Sequence, residues 1–240
     1  MKNQQLISKS DKKRIALLLD PDKYNAEKLK YTLGLANEAT VDFIFVGGSL
    51  ISKHIDQAVL EIKKHTSLPV ILFPGSLLQL SAKADALLLL SLISGRNPEY
   101  LIGNHVIAAP FIRSLSLEAI PTGYMLIDTG NTSSVQYISN TMPIPSDKTD
   151  IITATALAGE MMGLRLIYLE AGSGAIAPLN PDIVREVKKT ITIPLIVGGG
   201  IKNAKDASNL YKAGADVLVV GNAVENNPEN LRQIATARFI

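Results

Sequence analysis

The 240-residue chain contains no cysteine and no tryptophan, and only 5% of its residues are aromatic. The lack of cysteine excludes disulfides, thiolate metal sites and thiol nucleophiles. An excess of one charge is also missing, because 24 Lys and Arg residues nearly balance 22 Asp and Glu residues. Since nucleic-acid binders normally carry a basic excess, we expect no nucleic-acid partner. The three histidines, His54, His65 and His105, are too scattered to predict a zinc site.

Long hydrophobic runs are absent as well. The longest, residues 86–93, is far shorter than the roughly 20 residues needed to cross a bilayer. An apolar run at 15–19 ends at Asp20 and is too short for the core of a signal peptide. We therefore expect a cytoplasmic protein. Apolar residues still make up 47% of the chain, enough for a large core built from Leu, Ile, Val and Ala.

Eight short apolar runs recur along the chain, each bounded by turn residues. They are residues 15–20, 43–46, 70–73, 86–90, 123–128, 166–170, 195–197 and 217–220. Continuous runs of this kind are typical of parallel strands that are covered on both faces. Segments with helical periodicity lie at 25–38, 52–64, 181–189 and 204–213, with Pro181 suited to a first helical turn. Eight alternating strand–helix units predict a single-domain α/β fold, a TIM (β/α)8-type barrel over residues 1–240.

Two features qualify this architecture. An open, doubly wound sheet is the alternative, but it requires a glycine-rich turn after the first strand, where this sequence has Asp20-Pro21-Asp22.

Residues 95–121 show no clear long helix, and residues 130–150 are polar and contain several prolines. We expect these two segments to be long loops that wall a site or contact a partner.

Glycine-rich turns follow the last two predicted strands. Gly198, Gly199 and Gly200 come after the seventh, and Gly221 and Asn222 come after the eighth. Barrels often bind phosphate at these two loops through backbone N–H groups. Glycine suits such loops because it lets the backbone approach the anion closely. The turns predict a phosphate site but do not distinguish a sugar phosphate, a flavin phosphate or a glycerol phosphate.

A carboxylate ends the sixth predicted strand. Because side chains alternate along a strand, Tyr168 and Glu170 lie on the same side of it. In the mouth of a barrel, such a carboxylate either pairs with a cation or acts as a base. A structural ion pair with a neighbouring lysine is the alternative. Residues 171–175 that follow are small and suited to wrapping around an anionic group.

Two oxygen donors follow the first two predicted strands. Asp20 ends the first, and Ser49 comes after two glycines that end the second. Oxygen ligands suit Mg²⁺, which is often shared with the phosphates of a substrate. Taken alone, the Asp-Pro sequence also fits a helix cap at Asp22. His105, in the irregular 95–121 segment, is a weaker candidate for lining the site.

Five motifs in this order resemble the geranylgeranylglyceryl phosphate synthase family, over about residues 10–235. They are LDPDK at 19–23, VGGS at 46–49, YLEAGSG at 168–174, GGGI at 198–201 and VGNA at 220–223. Residues 94–100 and 145–148 add to the resemblance. It implies a barrel-fold prenyltransferase that joins a polyprenyl diphosphate, such as geranylgeranyl diphosphate, to sn-glycerol 1-phosphate through an ether bond.

The resemblance also implies roles for individual residues. Asp20 and Ser49 would bind Mg²⁺, and Glu170 would take the proton from the attacking glycerol hydroxyl. The residues implied to contact glycerol phosphate are Tyr168, Leu169, Glu170, Ala171, Gly172, Ser173, Gly174, Gly199, Gly200, Gly221 and Asn222. Family members are often homo-oligomers, and release of a lipid product implies a transient contact with a membrane surface.

One position departs from the shorter bacterial relatives, which resemble heptaprenylglyceryl phosphate synthases. They have a lysine two positions before the aspartate, where this chain has Leu18. We expect Lys23 or Lys202 to supply the missing phosphate contact. The Asp-Pro-Asp-Lys sequence fits the longer branch of the family better.

Two other functions fit the same glycine turns. An FMN-dependent barrel oxidoreductase would bind a flavin phosphate there and would be a yellow protein. A non-catalytic barrel could bind a phosphate metabolite and present residues 95–150 to a partner. That second function would survive the loss of Glu170, whereas a transferase would not.

Overall fold

The computed structural model describes residues 6–115 and 117–239, which form a closed barrel of eight parallel strands. The strands are β1 (Arg14–Leu19), β2 (Phe43–Val46), β3 (Val70–Leu72), β4 (Ala86–Leu92), β5 (Glu118–Leu126), β6 (Leu166–Glu170), β7 (Leu195–Gly198) and β8 (Val217–Val220). Each strand pairs with the next one along the chain. The barrel closes where Ile15 of β1 pairs with Leu218 of β8. The predicted TIM barrel is confirmed.

Helices surround this barrel. They are α1 (Ala26–Glu38), α2 (Ile55–Lys63), α3 (Asn104–Leu115), α4 (Ser134–Ser139), α5 (Thr149–Met161), α6 (Pro181–Thr190), α7 (Ala204–Ala213), α8 (Asn222–Asn226) and α9 (Asn230–Thr236). Side-chain caps start several of them, such as Asn25, whose Oδ1 accepts the Lys28 N–H at 2.9 Å. Pro181 occupies the first turn of α6, as predicted. In the described part of the chain, none of the helices is long and apolar enough to cross a membrane.

The alternation of side chains along each strand divides the core into two layers. On β6, Leu166 and Tyr168 belong to the cluster inside the barrel, while Ile167 and Leu169 belong to the cluster between strands and helices. Both layers are almost free of solvent, which explains why the strands are continuous apolar runs. Glu170 follows the interior positions of β6 and so ends that strand at the mouth of the barrel.

The prediction of no long helix in residues 95–121 was wrong. A single π-helical turn, Glu99–Gly103, leads directly into α3, which continues through Pro110. Proline normally disrupts a helix because it lacks an N–H group. Here Ala108 and Ile112, one turn apart, are both buried, and this packing stabilises the helix despite the proline.

Strand β5 also begins earlier than predicted, at Glu118 rather than residue 123. Pro121 lies inside it, although proline is uncommon in a central strand. The strand accommodates it because pairing with β6 begins only at the next residue, Thr122, and the Pro121 carbonyl accepts the Arg165 N–H at 2.8 Å.

The connection between β3 and β4 departs from the expected alternation of strand and helix. Residues 73–85, all of them described, form turns without a helix. As a result, no helix of this connection covers the outer face of β4. The outward-facing Leu87 and Leu89 line a cavity instead.

Candidate active site

One large cavity, about 1410 Å³, opens at the carboxyl ends of the strands. Most of the residues predicted to form a site line it. They are Asp20, Ser49, Tyr168, Glu170, Ser173, Gly174, Gly199, Gly200, Gly221 and Asn222. Active sites of barrels of this kind lie at this face. The structure therefore brings the predicted phosphate loops, carboxylate and oxygen donors together around one space.

Glu170 is the buried carboxylate of this cavity, with only 6% of its surface exposed. Its Oε1 accepts the backbone N–H of Gly172 at 2.7 Å. Burial raises the pKa of Glu170 to about 7, although the Gly172 N–H and the nearby Tyr168 hydroxyl partly oppose that rise. A carboxylate with a pKa near neutral pH can both accept and release a proton during a reaction.

Aromatic rings lie around and beneath this carboxylate. The Tyr168 ring lies 5.4 Å from that of Phe73 and 5.3 Å from that of Tyr124. Within the described residues, the buried Tyr168 hydroxyl has no hydrogen-bond partner of normal geometry. A buried hydroxyl without a partner is costly, so a polar group of a ligand would stabilise it. Tyr168 and Glu170 thus face the same space, as the strand periodicity predicted.

The loop after β7 forms a cradle that only glycine can build. Gly199 and Gly200 have φ angles of +86° and +70°, in the left-handed region that side chains rarely adopt. A β-carbon on Gly199 would lie 2.5 Å from Glu170 Oε1, and one on Gly200 would overlap the Ala177 carbonyl. The loop therefore presents bare backbone to the cavity, directly beside the carboxylate. Backbone N–H groups arranged in this way are typical of phosphate sites.

The loops after β6 and β8 complete this cradle. The Ser173 hydroxyl donates to Asn222 Oδ1 at 3.5 Å, across the mouth of the barrel. Gly172 and Gly174 have φ angles of +100° and +79°, so the segment after Glu170 also depends on glycine. An anion held here would be close to Glu170.

Asp20 and Ser49 line the same cavity on the side of β1 and β2. Asp20 Oδ1 accepts the Asp22 N–H at 3.0 Å. A β-carbon on Gly48 would lie 3.3 Å from the other oxygen, Oδ2, so the glycine leaves space in front of it. Burial, and secondarily the charge of Asp22, raises the pKa of Asp20. One carboxylate, a hydroxyl and open space fit Mg²⁺, which binds through one or two carboxylates together with water and substrate phosphates.

Several charged residues that line the cavity were partly or wholly missed by sequence reasoning. Lys23 and Lys202, suggested as replacements for the lysine missing at Leu18, both line the cavity. Lys28 and Glu225 line it too, but neither belongs to a recognisable motif. Burial and the charge of Asp20 raise the pKa of Glu225. The lysines give the cavity the positive charge that a diphosphate requires.

An apolar trough extends the cavity away from these polar groups, between β4 and α3. It is lined by Leu77, Leu80, Leu87, Leu89, Ala108 and Ile112. It exists because residues 73–85 contain no helix that would otherwise fill the space. His105, at the upper end of α3, also lines the cavity, and its Nε2 lies 3.2 Å from the Ser91 hydroxyl. A trough of this composition fits a long hydrocarbon chain.

Three of the residues predicted to contact glycerol phosphate do not line the cavity. Leu169 and Ala171 pack into the cluster between strands and helices, on the far side of β6 from Glu170. Gly172 contributes its backbone N–H to Glu170. These residues support the site through the course of the backbone, and the alternation that puts Tyr168 and Glu170 on one face of β6 puts Leu169 on the other.

Fold and site together define an α/β-barrel enzyme whose cavity sets one buried carboxylate beside a glycine cradle. Residues 8–238 match the model of the PcrB family. The chain belongs to this family, which confirms the resemblance seen in the sequence.

Several named proteins are similar to this chain over nearly its whole length. A protein of Spirosoma linguale named geranylgeranylglyceryl phosphate synthase is 50% identical, over 95% of this chain and 92% of its own. One of the same name from Korarchaeum cryptofilum is 39% identical, over 98% and 96%. The crystal structure of (S)-3-O-geranylgeranylglyceryl phosphate synthase from Thermoplasma acidophilum, in complex with sn-glycerol-1-phosphate, has a TM-score of 0.89, with 36% identity over 95% of this chain and 93% of that one.

Proposed function

We propose that this protein transfers a prenyl group from a polyprenyl diphosphate to sn-glycerol 1-phosphate. The observation that carries this proposal is the position of Glu170, a buried carboxylate with a pKa of about 7 that lies directly against the glycine cradle. Phosphate held by the cradle would place a glycerol hydroxyl near that carboxylate. The apolar trough would hold the hydrocarbon chain of the donor.

The reaction forms one bond and breaks another. The glycerol hydroxyl oxygen forms an ether bond with C1 of the prenyl chain, and the bond between C1 and the diphosphate oxygen breaks. Glu170 accepts the hydroxyl proton as the oxygen attacks. The site supplies this base already desolvated and oriented by the Gly172 N–H. Phosphate contacts at Gly199, Gly200, Gly221 and Asn222 fix the position of the acceptor.

We further propose that Asp20 and Ser49 hold Mg²⁺. A divalent ion there would neutralise charge on the departing diphosphate and so favour breakage of the bond to C1. Lys23 and Lys202 both line the cavity and would bind the diphosphate oxygens in place of the lysine missing at Leu18. The support for this assignment is the free side of the Asp20 carboxylate, which faces Gly48.

A direct transfer assay tests the proposed function. The protein is incubated with sn-glycerol 1-phosphate, Mg²⁺ and prenyl diphosphates of several lengths, and the ether product is detected by mass spectrometry. We expect product from at least one donor of geranylgeranyl length or similar. Failure of every donor to give product would contradict prenyl transfer, and a bound yellow cofactor would favour a flavin enzyme instead.

The pKa of Glu170 predicts how the rate depends on pH. Only the ionised carboxylate can accept the hydroxyl proton, so kcat/KM for sn-glycerol 1-phosphate falls as the pH drops below about 7. The slope approaches tenfold per pH unit on the acidic side. Rates measured at saturating Mg²⁺, with acceptor binding followed at each pH, separate this effect from substrate titration. A flat profile from one unit above that pKa to one unit below it would contradict the role of Glu170.

Removing the charge of Asp20 tests the metal proposal. In Asp20→Asn, the amide oxygen can still accept the Asp22 N–H, so the loop keeps its shape. We expect the Mg²⁺ concentration for half-maximal rate to rise at least about tenfold, because a charged ligand is lost. Binding of sn-glycerol 1-phosphate, measured calorimetrically, should be unchanged. An unaltered Mg²⁺ dependence would show that Asp20 is not a ligand.

We also propose that the protein acts in the cytoplasm as a homo-oligomer and contacts a membrane surface briefly when its lipid product leaves. The support is a group of exposed apolar side chains on and beside α3, the helix that lines the trough: Ile102, Val106, Ile107 and Phe111. Exposed apolar patches of this kind mark contact surfaces. Light scattering tests the oligomer, and sedimentation with phospholipid vesicles tests the membrane contact.

A further inference from the structure

Gln79 is a buried polar residue outside the five sequence motifs. It lies in the helix-free connection between β3 and β4, and only 4% of its surface is exposed. Its Nε2 donates to the Gly48 carbonyl at 2.8 Å. Its Oε1 accepts the Gly75 N–H at 3.0 Å and the Gly48 N–H at 3.4 Å. One amide therefore joins the loop after β3 to the loop after β2.

The two loops that Gln79 joins meet backbone against backbone. A β-carbon on Gly75 would overlap the Gly48 carbonyl and lie 2.9 Å from the Ser49 α-carbon. A β-carbon on Gly47 would overlap the Phe73 carbonyl. Such contact leaves no room for a side chain between the loops. The Gln79 amide lies beside this contact and, through its bonds to Gly48 and Gly75, fixes the separation of the two loops.

On its other side, the same Gly48 faces the Asp20 carboxylate, since a β-carbon added to this glycine would lie only 3.3 Å from Oδ2. Ser49 is the next residue. A small movement of Gly48 would therefore change both the space in front of Asp20 and the position of the Ser49 oxygens. The hydrogen bonds between Gln79 and the Gly48 backbone oppose this movement directly.

We propose that Gln79 is a positioning residue that holds Gly48 and Ser49 in place for the divalent ion beside Asp20. This inference rests on the proposed function, since it concerns the metal that assists departure of the diphosphate. Residues that orient metal ligands from behind typically change metal affinity by 10- to 100-fold when they are replaced. Gln79 differs from a general structural residue because two of its three hydrogen bonds are made to Gly48, the residue directly before the predicted ligand Ser49.

Titration of the substrate-free protein with Mn²⁺, followed by the electron paramagnetic resonance signal of free Mn²⁺, tests the proposal without measuring activity. In Gln79→Met, the side chain keeps its approximate length but loses all three hydrogen bonds. We expect the Kd for Mn²⁺ to rise about 10- to 100-fold, while the affinity for sn-glycerol 1-phosphate stays within a few-fold of wild type. Gln79→Glu keeps the acceptor for Gly75 but places an oxygen against the Gly48 carbonyl, so it should weaken Mn²⁺ binding in the same direction.

Asn37, an exposed amide, provides a control at the opposite end of the barrel. Its Nδ2 donates to the His65 carbonyl at 3.0 Å, and its Oδ1 accepts from the Thr66 hydroxyl. Asn37→Leu should lower the melting temperature but leave the Kd for Mn²⁺ unchanged. Circular dichroism establishes that each variant is folded.

The outcomes separate this inference from the function on which it rests. Wild-type affinity for Mn²⁺ in both Gln79 variants, with binding lost in Asp20→Asn, would overturn the role of Gln79 and leave the metal site intact. Equal Mn²⁺ binding in wild type and Asp20→Asn, or no binding to wild type, would overturn both. A parallel loss in Asn37→Leu would reduce the effect to general destabilisation and also overturn the inference.

Discussion

Replacing Glu170 with glutamine should lower the turnover number by about 10²- to 10⁴-fold, the usual contribution of a general base. In the wild-type protein the Gly172 N–H lies 2.7 Å from Glu170 Oε1. The glutamine amide keeps an oxygen that can accept this N–H, so the loop after β6 should not move. Affinity for sn-glycerol 1-phosphate should therefore stay within a few-fold of wild type. Single-turnover rates and calorimetric binding measure the two quantities separately.

The same substitution should change how stability depends on pH. Burial raises the pKa of Glu170 from 4.5 to about 7, so the folded state favours the protonated carboxyl. Stability from this group is present below pH 4.5 and is lost as the pH rises through about 7. The loss corresponds to roughly 3 kcal/mol for a shift of this size. Relative to wild type, Glu170→Gln should therefore be more stable at pH 8 than at pH 4, as followed by denaturant unfolding.

Glu160 offers a control for this experiment. Its carboxylate lies at the surface, where Oε1 accepts the Thr192 N–H at 3.0 Å. Glu160→Gln should leave turnover unchanged. Retention of a tenth or more of the wild-type turnover by Glu170→Gln would contradict the role of Glu170 as the base. Absence of product from both the wild-type protein and Glu170→Gln would instead favour the non-catalytic, metabolite-binding alternative.

Gly199→Ala should reduce kcat/KM by about 100-fold or more. The new methyl group would lie 2.5 Å from Glu170 Oε1 and 2.8 Å from the Ala171 β-carbon, so either the carboxylate or the cradle must move. Displacement of about 1 Å at an active site can cost roughly 100-fold in rate. Binding of sn-glycerol 1-phosphate should weaken as well, because the same loop is proposed to hold the phosphate.

Gly163→Ala separates the steric effect from backbone strain. Gly163 has the same φ angle as Gly199, +86°, but a β-carbon there would have open space around it, with no described atom beyond its chain neighbours within 4 Å. Both variants should lose about 1–2 kcal/mol of stability from the left-handed conformation. Only Gly199→Ala should lose activity, as measured in the transfer assay and by thermal unfolding. Equal activity in the two variants would show that the cradle tolerates a side chain and is not a tight phosphate site.

Much of the architecture follows from local patterns in the sequence. Continuous apolar runs predicted all eight strands because strands covered on both faces contain little else. The carboxyl ends of those strands then located Asp20, Glu170 and the glycine turns at one face. The orientation of Glu170 beside Tyr168 followed from the alternation of side chains alone.

Other parts depended on tertiary contacts that have no local signal. Helix α3 contains Pro110 and is stabilised by the burial of Ala108 and Ile112, so its sequence resembles a loop. The trough exists because residues 73–85 form no helix, and the alternating strand–helix pattern predicted the opposite. Gln79 acts through the backbone of residues distant in sequence.

A crystal structure of the protein with sn-glycerol 1-phosphate would test the central claim most directly. We expect phosphate oxygens within hydrogen-bond distance of the backbone at Gly199, Gly200 and Gly221. We also expect a free hydroxyl of the glycerol about 2.6–3.2 Å from a Glu170 carboxylate oxygen. Phosphate bound elsewhere in the cavity, or every free hydroxyl turned away from Glu170, would contradict this claim.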